Sequence, residues 1–481
     1  MDSLRKQLLS YTKSGMYSFH TPGHKGRSDL LAALLFPDYD LTELPGLDIL
    51  HNPQGVIAAA QGRAAEIYGA EETYFLVNGA TAGNQAMLLS LAAGPGLRGK
   101  KIRIQRQVHR SVIGALVLSG LTPEYVPAVI HPDFNLPLGL DAEQLLADNG
   151  EIGAFHLTSP SYYGTVIDLA AITKERDKAC PSLPCLVDQA HGSHFLGSNF
   201  PESALKQGAD LVVHSTHKTL SALTQAAMLH VQGKRINRMA LKQSLELLQT
   251  SSPSYLLMAS LENAVNHLQA AVPWDDLRWE VNKLQEGLEG ELRILTARDA
   301  GRYGIMDVDW SKILVNLNSL VISTGEAVEI LRKKFRLEPE LWDDSNILFV
   351  LGIGSKPEDV RVLHGALAYL AREYRSKTAK GNLPKFLQNS DPAKGGRQLA
   401  VPPLRLTPRE AWFAPQKTVP VRESLGQIAG ETISVYPPGI PLVAAGEEIT
   451  PLIHDYLNRA EEYNWQGWQG FREKKIRVID I

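Results

Sequence analysis

The chain has 481 residues, 44% of them hydrophobic and 21% charged, with a formal net charge of -3. That length exceeds one ordinary core and sets an expectation of roughly three units, while the balanced composition excludes a disordered or fibrous chain. Acidic and basic residues are intermixed, so no basic face marks a nucleic-acid or anionic-membrane partner, and a small molecule is the expected ligand.

The amino terminus has apolar residues at helical spacing (Leu4, Leu8, Tyr11) but no continuous apolar signal region. This predicts a packing helix in a cytoplasmic protein. The longest apolar stretches, such as 111–121, fall short of the roughly 18–20 residues that span a bilayer. Cys180 and Cys185 are too few and too close for a disulfide framework and lack the partners of a zinc site. Both are expected in the core, in a reducing compartment, with no bound metal.

From about residue 44 to 232, short apolar runs alternate with helical patterns, the rhythm of parallel strands joined by crossover helices. Strands are predicted at 73–77, 101–105, 153–157, 185–187 and 211–213, each followed directly by polar residues. The fold class is therefore α/β with a mostly parallel sheet, and ligands should sit beyond the carboxyl ends of the strands. The chain divides into an amino-terminal segment (1–45), a large α/β domain (46–272) and a small α+β domain (273–375). The small domain has β-like stretches at 313–317 and 347–351 and a helix at 325–334. Residues 376–403, rich in Lys, Gly, Asn, Asp and Pro, read as an exposed linker. A carboxy-terminal domain (404–481) follows, containing Tyr436-Pro437-Pro438-Gly439-Ile440-Pro441, whose prolines cannot continue a helix or a central strand.

The strand ends carry the chemistry. Beyond 73–77 comes Asn78-Gly79-Ala80-Thr81-Ala82-Gly83-Asn84, a small-residue turn opening a helix. Free amides at a helix start suit a phosphate monoester, with Thr81 and the Ala80 amide as natural donors. A plain capping turn without ligand is the alternative. Beyond 101–105 stands His109, a residue type that is structural or solvated in most such settings. Lys218 follows 211–213 in His214-Ser215-Thr216-His217-Lys218-Thr219. A lysine at the end of a doubly buried strand is desolvated, its pKa falls, and its amine can form a Schiff base. Ser215 and His217 could hold a phosphate beside it. Asp188 ends the 185–187 run in Leu186-Val187-Asp188-Gln189-Ala190-His191-Gly192. A buried ion pair or a helix cap would explain either residue singly. Together with the phosphate-type turn they supply what pyridoxal 5′-phosphate requires, including a carboxylate that keeps the ring nitrogen protonated.

With these motifs in order, and with His20-Thr21-Pro22-Gly23-His24-Lys25, Glu43-Leu44-Pro45-Gly46-Leu47-Asp48 and the Tyr436-to-Pro441 turn, the sequence resembles the bacterial ornithine/lysine/arginine decarboxylases. These have the aspartate-aminotransferase-like pyridoxal-phosphate fold type I, and the resemblance covers nearly the whole chain. It implies that Lys218 carries the cofactor as a Schiff base, that Asp188 pairs with the ring nitrogen and that His109 stacks on the ring. Ala80, Thr81, Ser215 and His217 would bind phosphate, and Ala190 would pack beneath the ring. His191 and Ser161, the latter in Thr158-Ser159-Pro160-Ser161-Tyr162-Tyr163-Gly164, are further candidates at the Schiff base or the ring hydroxyl.

The implied reaction is decarboxylation of a basic L-amino acid, arginine to agmatine or lysine to cadaverine, in polyamine biosynthesis. The chain is shorter than the inducible acid-stress members, lacks their receiver-like wing domain, and so resembles the compact biosynthetic branch. It departs from the family pattern at Gln189 and at Ala444-Ala445-Gly446-Glu447, where a Pro-Gly-Glu is common.

A cationic distal group needs an acidic partner, for which Glu431 is the first candidate, a solvated surface carboxylate being its alternative. His24 and Asp48 are further substrate candidates. The resemblance also implies a homodimer with sites at the interface, where the His20-to-Lys25 segment or Asp48 would complete a neighbour's pocket. Ornithine as substrate, another fold-type-I activity such as an aminotransferase or carbon–sulfur lyase, and a non-catalytic cofactor-binding regulatory paralogue are the rival readings.

Overall fold

In the computed structural model the described residues are 15–20, 23–25, 27, 29, 41–94, 100–147, 151–197, 199–269, 274–375, 389–391, 396–398, 401–436, 439–459 and 464–480. The helix expected around Leu4, Leu8 and Tyr11 lies outside them.

The largest sheet has seven strands: β1 (Glu72–Leu76), β2 (Lys101–Gln105), β3 (Thr122–Val126), β4 (Ile152–Thr158), β5 (Cys185–Asp188), β6 (Leu211–His214) and β7 (Ala227–Val231). Their spatial order is β1-β7-β6-β5-β4-β2-β3. Neighbours from β6 through β3 are parallel, and β7 runs antiparallel to both β6 and β1. Helices that cover it include α1 (Val56–Tyr68), α2 (Gly79–Ala92), α3 (Arg110–Ser119), α4 (Leu169–Ala179), α5 (Arg238–Leu248) and α6 (Tyr255–Gln269).

Side chains alternate across the strands. Leu186, Leu211 and Val213 therefore join the core shared with α2, α3 and α5, while Cys185, Val187 and Val212 join the one shared with α1, α4 and α6. Burial on both faces is why these strands read as unbroken apolar runs.

The five strands expected in this region are present, with ends shifted by at most one residue. Two more were not expected. β3 contains Pro123 and Glu124 and, among the described residues, pairs only with β2, an edge position where proline costs no ladder hydrogen bond. β7 has His230 next to its last residue, which the sheet accommodates because the ring meets Thr73 Oγ1 at 2.8 Å and His214 Nδ1 at 3.0 Å. Cys185 is buried as expected, but Cys180 is exposed, since it follows the end of α4 rather than facing the sheet.

Beyond α6, an antiparallel four-stranded sheet holds β8 (Arg293–Ile294), β9 (Lys312–Asn316), β10 (Leu341–Trp342) and β11 (Asn346–Val350), in the order β8-β9-β11-β10. Helices Trp274–Gly287, Thr324–Phe335 and Pro357–Glu373 share its core. Tyr17–Phe19, from the amino-terminal segment, pairs in parallel with Leu337–Pro339 of this unit.

The stretch expected as a linker contributes two short strands. Gly396–Gln398 pairs with Asn389–Asp391 and with Ala128–His131, so its polar residues are in part the edge of a sheet. The last unit packs Pro451–Arg459 and strands including Ile433–Tyr436 and Ile440–Val443 around Ile433, Val443, Trp468 and Val478. Those two strands pair with each other; Pro437 and Pro438, the prolines that the sequence sets apart, lie outside the described residues. Among the described residues no helix is long and apolar enough to cross a membrane.

Candidate active site

Beyond the carboxyl ends of the central strands lies a cavity of about 380 Å³. Ala80, Thr81, His109, Ser161, Asp188, Ala190, His191, Ser215, His217 and Lys218 all line it. The sequence separates these residues by well over a hundred positions. The parallel sheet brings them together because consecutive strands present the same end to the same side.

Helix α2 begins at Gly79, whose φ of +75° is favourable only for glycine. One turn on, Gly83 lets the helix lie directly on the sheet: a Cβ there would stand 2.5 Å from Val213 Cγ2 and 2.8 Å from Leu76 Cδ1. This close approach carries Asn84 to the end of β5, where its amide nitrogen donates to Asp188 Oδ2 at 2.8 Å and to Ser111 Oγ at 3.0 Å. Asp188 Oδ1 accepts from the Ala190 amide at 3.1 Å. His156, on β4, faces Asn84 Oδ1 at 3.2 Å through Nε2, and burial holds it down at about 4, so the ring is neutral and Nε2 carries the proton. His109 caps α3, its Nδ1 accepting from the Ser111 amide at 3.2 Å. Burial lowers its pKa, with Asp188 opposing.

Lys218 follows β6, the strand paired in parallel with β5. Burial lowers the pKa of its amine, opposed by Asp188 and Glu340. The Lys218 nitrogen lies 2.9 Å from His191 Nε2 and 5.7 Å from the Tyr162 ring centre. The other ring nitrogen of His191, Nδ1, stands 3.1 Å from the nitrogen of Lys312 on β9. Burial first, then Lys218 and Lys312, keep His191 well below its ordinary range and hence neutral. His217 turns Nδ1 to the Ala226 carbonyl at 3.0 Å and is held by burial at about 4.

Asn84, His156, Tyr162 and Lys312 belong to this constellation although sequence reasoning gave them no role. The signal for two of them was present: His156 and Lys312 are polar groups within or at the start of apolar strand runs, where burial demands a partner.

Three expected substrate residues do not line the cavity of their own chain. Asp48 has φ +69° and accepts from the amides of Ile49, Gln54, Gly55, Ile57 and Ala58, anchoring the start of α1. Burial pushes its pKa up, but these hydrogen bonds outweigh it and bring the carboxylate to about 2. Glu431 is 4% exposed and is engaged by Arg477, which donates its backbone amide at 2.9 Å and its Nε at 3.2 Å. Neither the surface alternative nor a free substrate ligand describes it. His24 lies in the segment that docks on the Lys218 turn, where the Gly23 amide donates to the His217 carbonyl at 2.7 Å. Lys25 of that segment donates to the Val350 carbonyl at 2.9 Å, and burial brings it down to about 7.

The last unit reaches the cavity through Ile440. It is anchored by Arg106, just beyond β2, which is 1% exposed and bonds both oxygens of the fully buried Glu447, at 2.6 and 2.9 Å. The departure from Pro-Gly-Glu noted in the sequence thus leaves its glutamate with a partner.

Comparison with known proteins agrees with this layout. The family model "Orn/Lys/Arg decarboxylase, major domain" matches residues 3–273, and "Orn/Lys/Arg decarboxylase, C-terminal domain" matches 399–475. The chain is 34% identical to the uncharacterized protein YaaO of Bacillus subtilis, over 99% of this chain and 98% of that one. It is 31% identical to a Halalkalibacterium halodurans protein named arginine decarboxylase, over 98% and 96% of the two chains. Among solved structures, the Escherichia coli constitutive lysine decarboxylase superposes with a TM-score of 0.73 at 20% identity, covering 99% of this chain and 81% of that one. An aspartate aminotransferase from Thermus thermophilus superposes with a TM-score of 0.51 at 14% identity, over 70% of this chain and 98% of its own. The fold is the aspartate-aminotransferase-like type I fold, and the chain belongs to the Orn/Lys/Arg decarboxylase family, carboxy-lyases of basic amino acids.

Proposed function

We propose that the cavity holds pyridoxal 5′-phosphate on Lys218 and that the chain converts L-arginine to agmatine and carbon dioxide. The observation that carries this reading is the meeting of a shielded lysine and a buried aspartate at the ends of two adjacent parallel strands, in one cavity with the start of a long helix.

The residues present suit that cofactor. Thr81 and the amides that open α2 offer donors to a phosphate, with Ser215 and His217 on the same cavity wall. Asp188, fixed by Asn84 and the Ala190 amide, would hold a proton at the ring nitrogen. His109, which caps α3, and Ala190 both line the cavity and would pack against the ring. Ser161 would serve the ring hydroxyl, and His191 stands beside the Lys218 nitrogen. When bound, the cofactor supplies the electron sink that accepts the pair left on the substrate's α carbon as carbon dioxide departs. Lys218 has its amine lowered by burial, which favours the nucleophilic form it needs to take up the cofactor and later to release product. His191 stands where it can hold or pass a proton at that nitrogen.

Arginine is favoured by the relatives named arginine decarboxylase, at 31% identity over almost the whole chain. Lysine is the second reading, because the Escherichia coli constitutive lysine decarboxylase is 25% identical over 92% of this chain. The reading extends to a cytoplasmic homodimer serving polyamine biosynthesis, supported by family membership. The purified protein is to be offered arginine, lysine and ornithine together, with amines and keto acids resolved by mass spectrometry. Agmatine in excess, without keto acid, is the expected outcome; cadaverine in excess moves the assignment to lysine, keto acid to an aminotransferase, and no product to a non-catalytic paralogue.

A further inference from the structure

We infer that Lys312, a residue of the small antiparallel unit, is a positioning residue for Lys218: it fixes the tautomer of His191 so that the ring aims an N–H at the Lys218 nitrogen. The inference rests on the proposed role of Lys218.

The geometry is a chain of nitrogen atoms. Lys312 Nζ lies 3.1 Å from His191 Nδ1, and His191 Nε2 lies 2.9 Å from Lys218 Nζ. The ring cannot shift freely, since His191 is 5% exposed and its centre is 4.4 Å from that of Tyr162, whose hydroxyl donates to Glu340 at 2.5 Å. Nor is the approach of Lys312 incidental. Its stem runs beneath Gly164, where φ is +95° and a Cβ would stand 2.8 Å from both Lys312 Cβ and Cγ. A glycine in the loop that bears Ser161 and Tyr162 thus leaves a path along which a lysine from another unit reaches His191, which lines the cavity.

A neutral imidazole has one donor and one acceptor nitrogen. An ammonium has only donors, so a charged Lys312 requires a lone pair on Nδ1 and places the ring proton on Nε2. That proton points at Lys218 Nζ and is bonded only while this nitrogen offers a lone pair. The arrangement therefore favours the neutral amine whenever Lys218 is free, the form able to attack. The opposite polarity, with Lys218 charged and Lys312 neutral, is disfavoured by the surroundings. Burial opposes charge at both lysines and leaves Lys312 at about 8; Glu340 supports charge on both, and Asp309 supports it on Lys312 alone. Asp188, the carboxylate nearest in role to Lys218, is engaged by Asn84 and the Ala190 amide and, on the proposed reading, by the cofactor.

The test uses the full chain freed of cofactor, with ring-¹⁵N histidine and His191→Gln to assign the resonance. In the wild-type protein His191 should show an unprotonated Nδ1 and a protonated Nε2; the reverse tautomer overturns the inference without need of any variant. In Lys312→Met, which keeps the stem and removes the donor, the tautomer should become mixed or reversed. Labelling of Lys218 by trinitrobenzenesulfonate, followed by peptide mass spectrometry, should then slow about tenfold at neutral pH, the effect of one pKa unit. A folded Lys312→Met with wild-type tautomer and labelling rate also overturns it. Failure of Lys218→Ala to lose cofactor would instead overturn the functional reading, leaving the tautomer result as it stands.

Discussion

Removing the Glu447 carboxylate tests how the last unit is held over the cavity. Arg106 and Glu447 are 1% and 0% exposed and are joined by two hydrogen bonds of 2.6 and 2.9 Å. Glu447→Ala leaves the guanidinium buried with the Tyr125 ring, 5.0 Å away, and the carbonyls of Pro441 and Leu442, at 3.2 and 3.4 Å. Those carbonyl contacts are long, Arg106 Nε has no partner among the described residues, and the Ala444 amide loses its 2.7 Å acceptor. Breaking one side of a buried pair costs about 3–5 kcal/mol, and the poor remaining contacts place this case in the upper part of that range. Replacing both residues, as Arg106→Met with Glu447→Leu, removes the stranded charge and should recover more than half of the loss. The assay is urea unfolding followed by fluorescence of the Trp465 and Trp468 cluster in the last unit, with hydrogen exchange over 440–447 locating the change. Because Ile440 lines the cavity, KM should rise more than kcat falls. A loss below about 1 kcal/mol in Glu447→Ala, or a double variant as unstable as the sum of the singles, refutes the reasoning.

Lys218→Ala should lose both the long-wavelength absorbance of bound cofactor and turnover; an unchanged spectrum is incompatible with the assignment. Asp188→Ala should keep part of the cofactor and lose at least about a hundredfold in kcat, roughly 2.7 kcal/mol of barrier, and near-normal turnover would remove its role at the ring nitrogen. The buried histidines His156 and His230 are held by burial at about 4 and about 3, against an ordinary 6.5. Between pH 6.5 and about 4 the unfolded chain binds protons that the folded one refuses. Their contribution is therefore complete above pH 6.5 and falls with pH by about 1.4 kcal/mol per unit for each histidine. His156→Gln should show a shallower loss in urea midpoint than the wild type over that window, and parallel slopes would contradict the argument.

Lys218, Asp188 and the turn at Asn78 were legible in the sequence because each interrupts or ends a run that is otherwise apolar, and a charged or small polar residue there needs a partner. Five strands of the large sheet were legible for the same reason, burial on both faces leaving a continuous apolar signature, whereas β7, equally buried but carrying His230, was not. β3 was not, since an edge strand tolerates Pro123 and Glu124 and so looks like a loop.

What the sequence by itself determined is the α/β class, the ends of the buried strands and the polar residue types that stand there. These follow from local patterning, in which burial dictates composition. Only the tertiary structure decided which acidic residues are already engaged. Asp48 is held by five backbone amides and Glu431 by Arg477, and no local pattern separates a carboxylate that is bound from one that is free. It also decided that Lys312, 94 positions beyond Lys218 in the sequence, shares a histidine with it. That juxtaposition depends on how two units pack, and packing is a property of the whole chain rather than of any stretch of it.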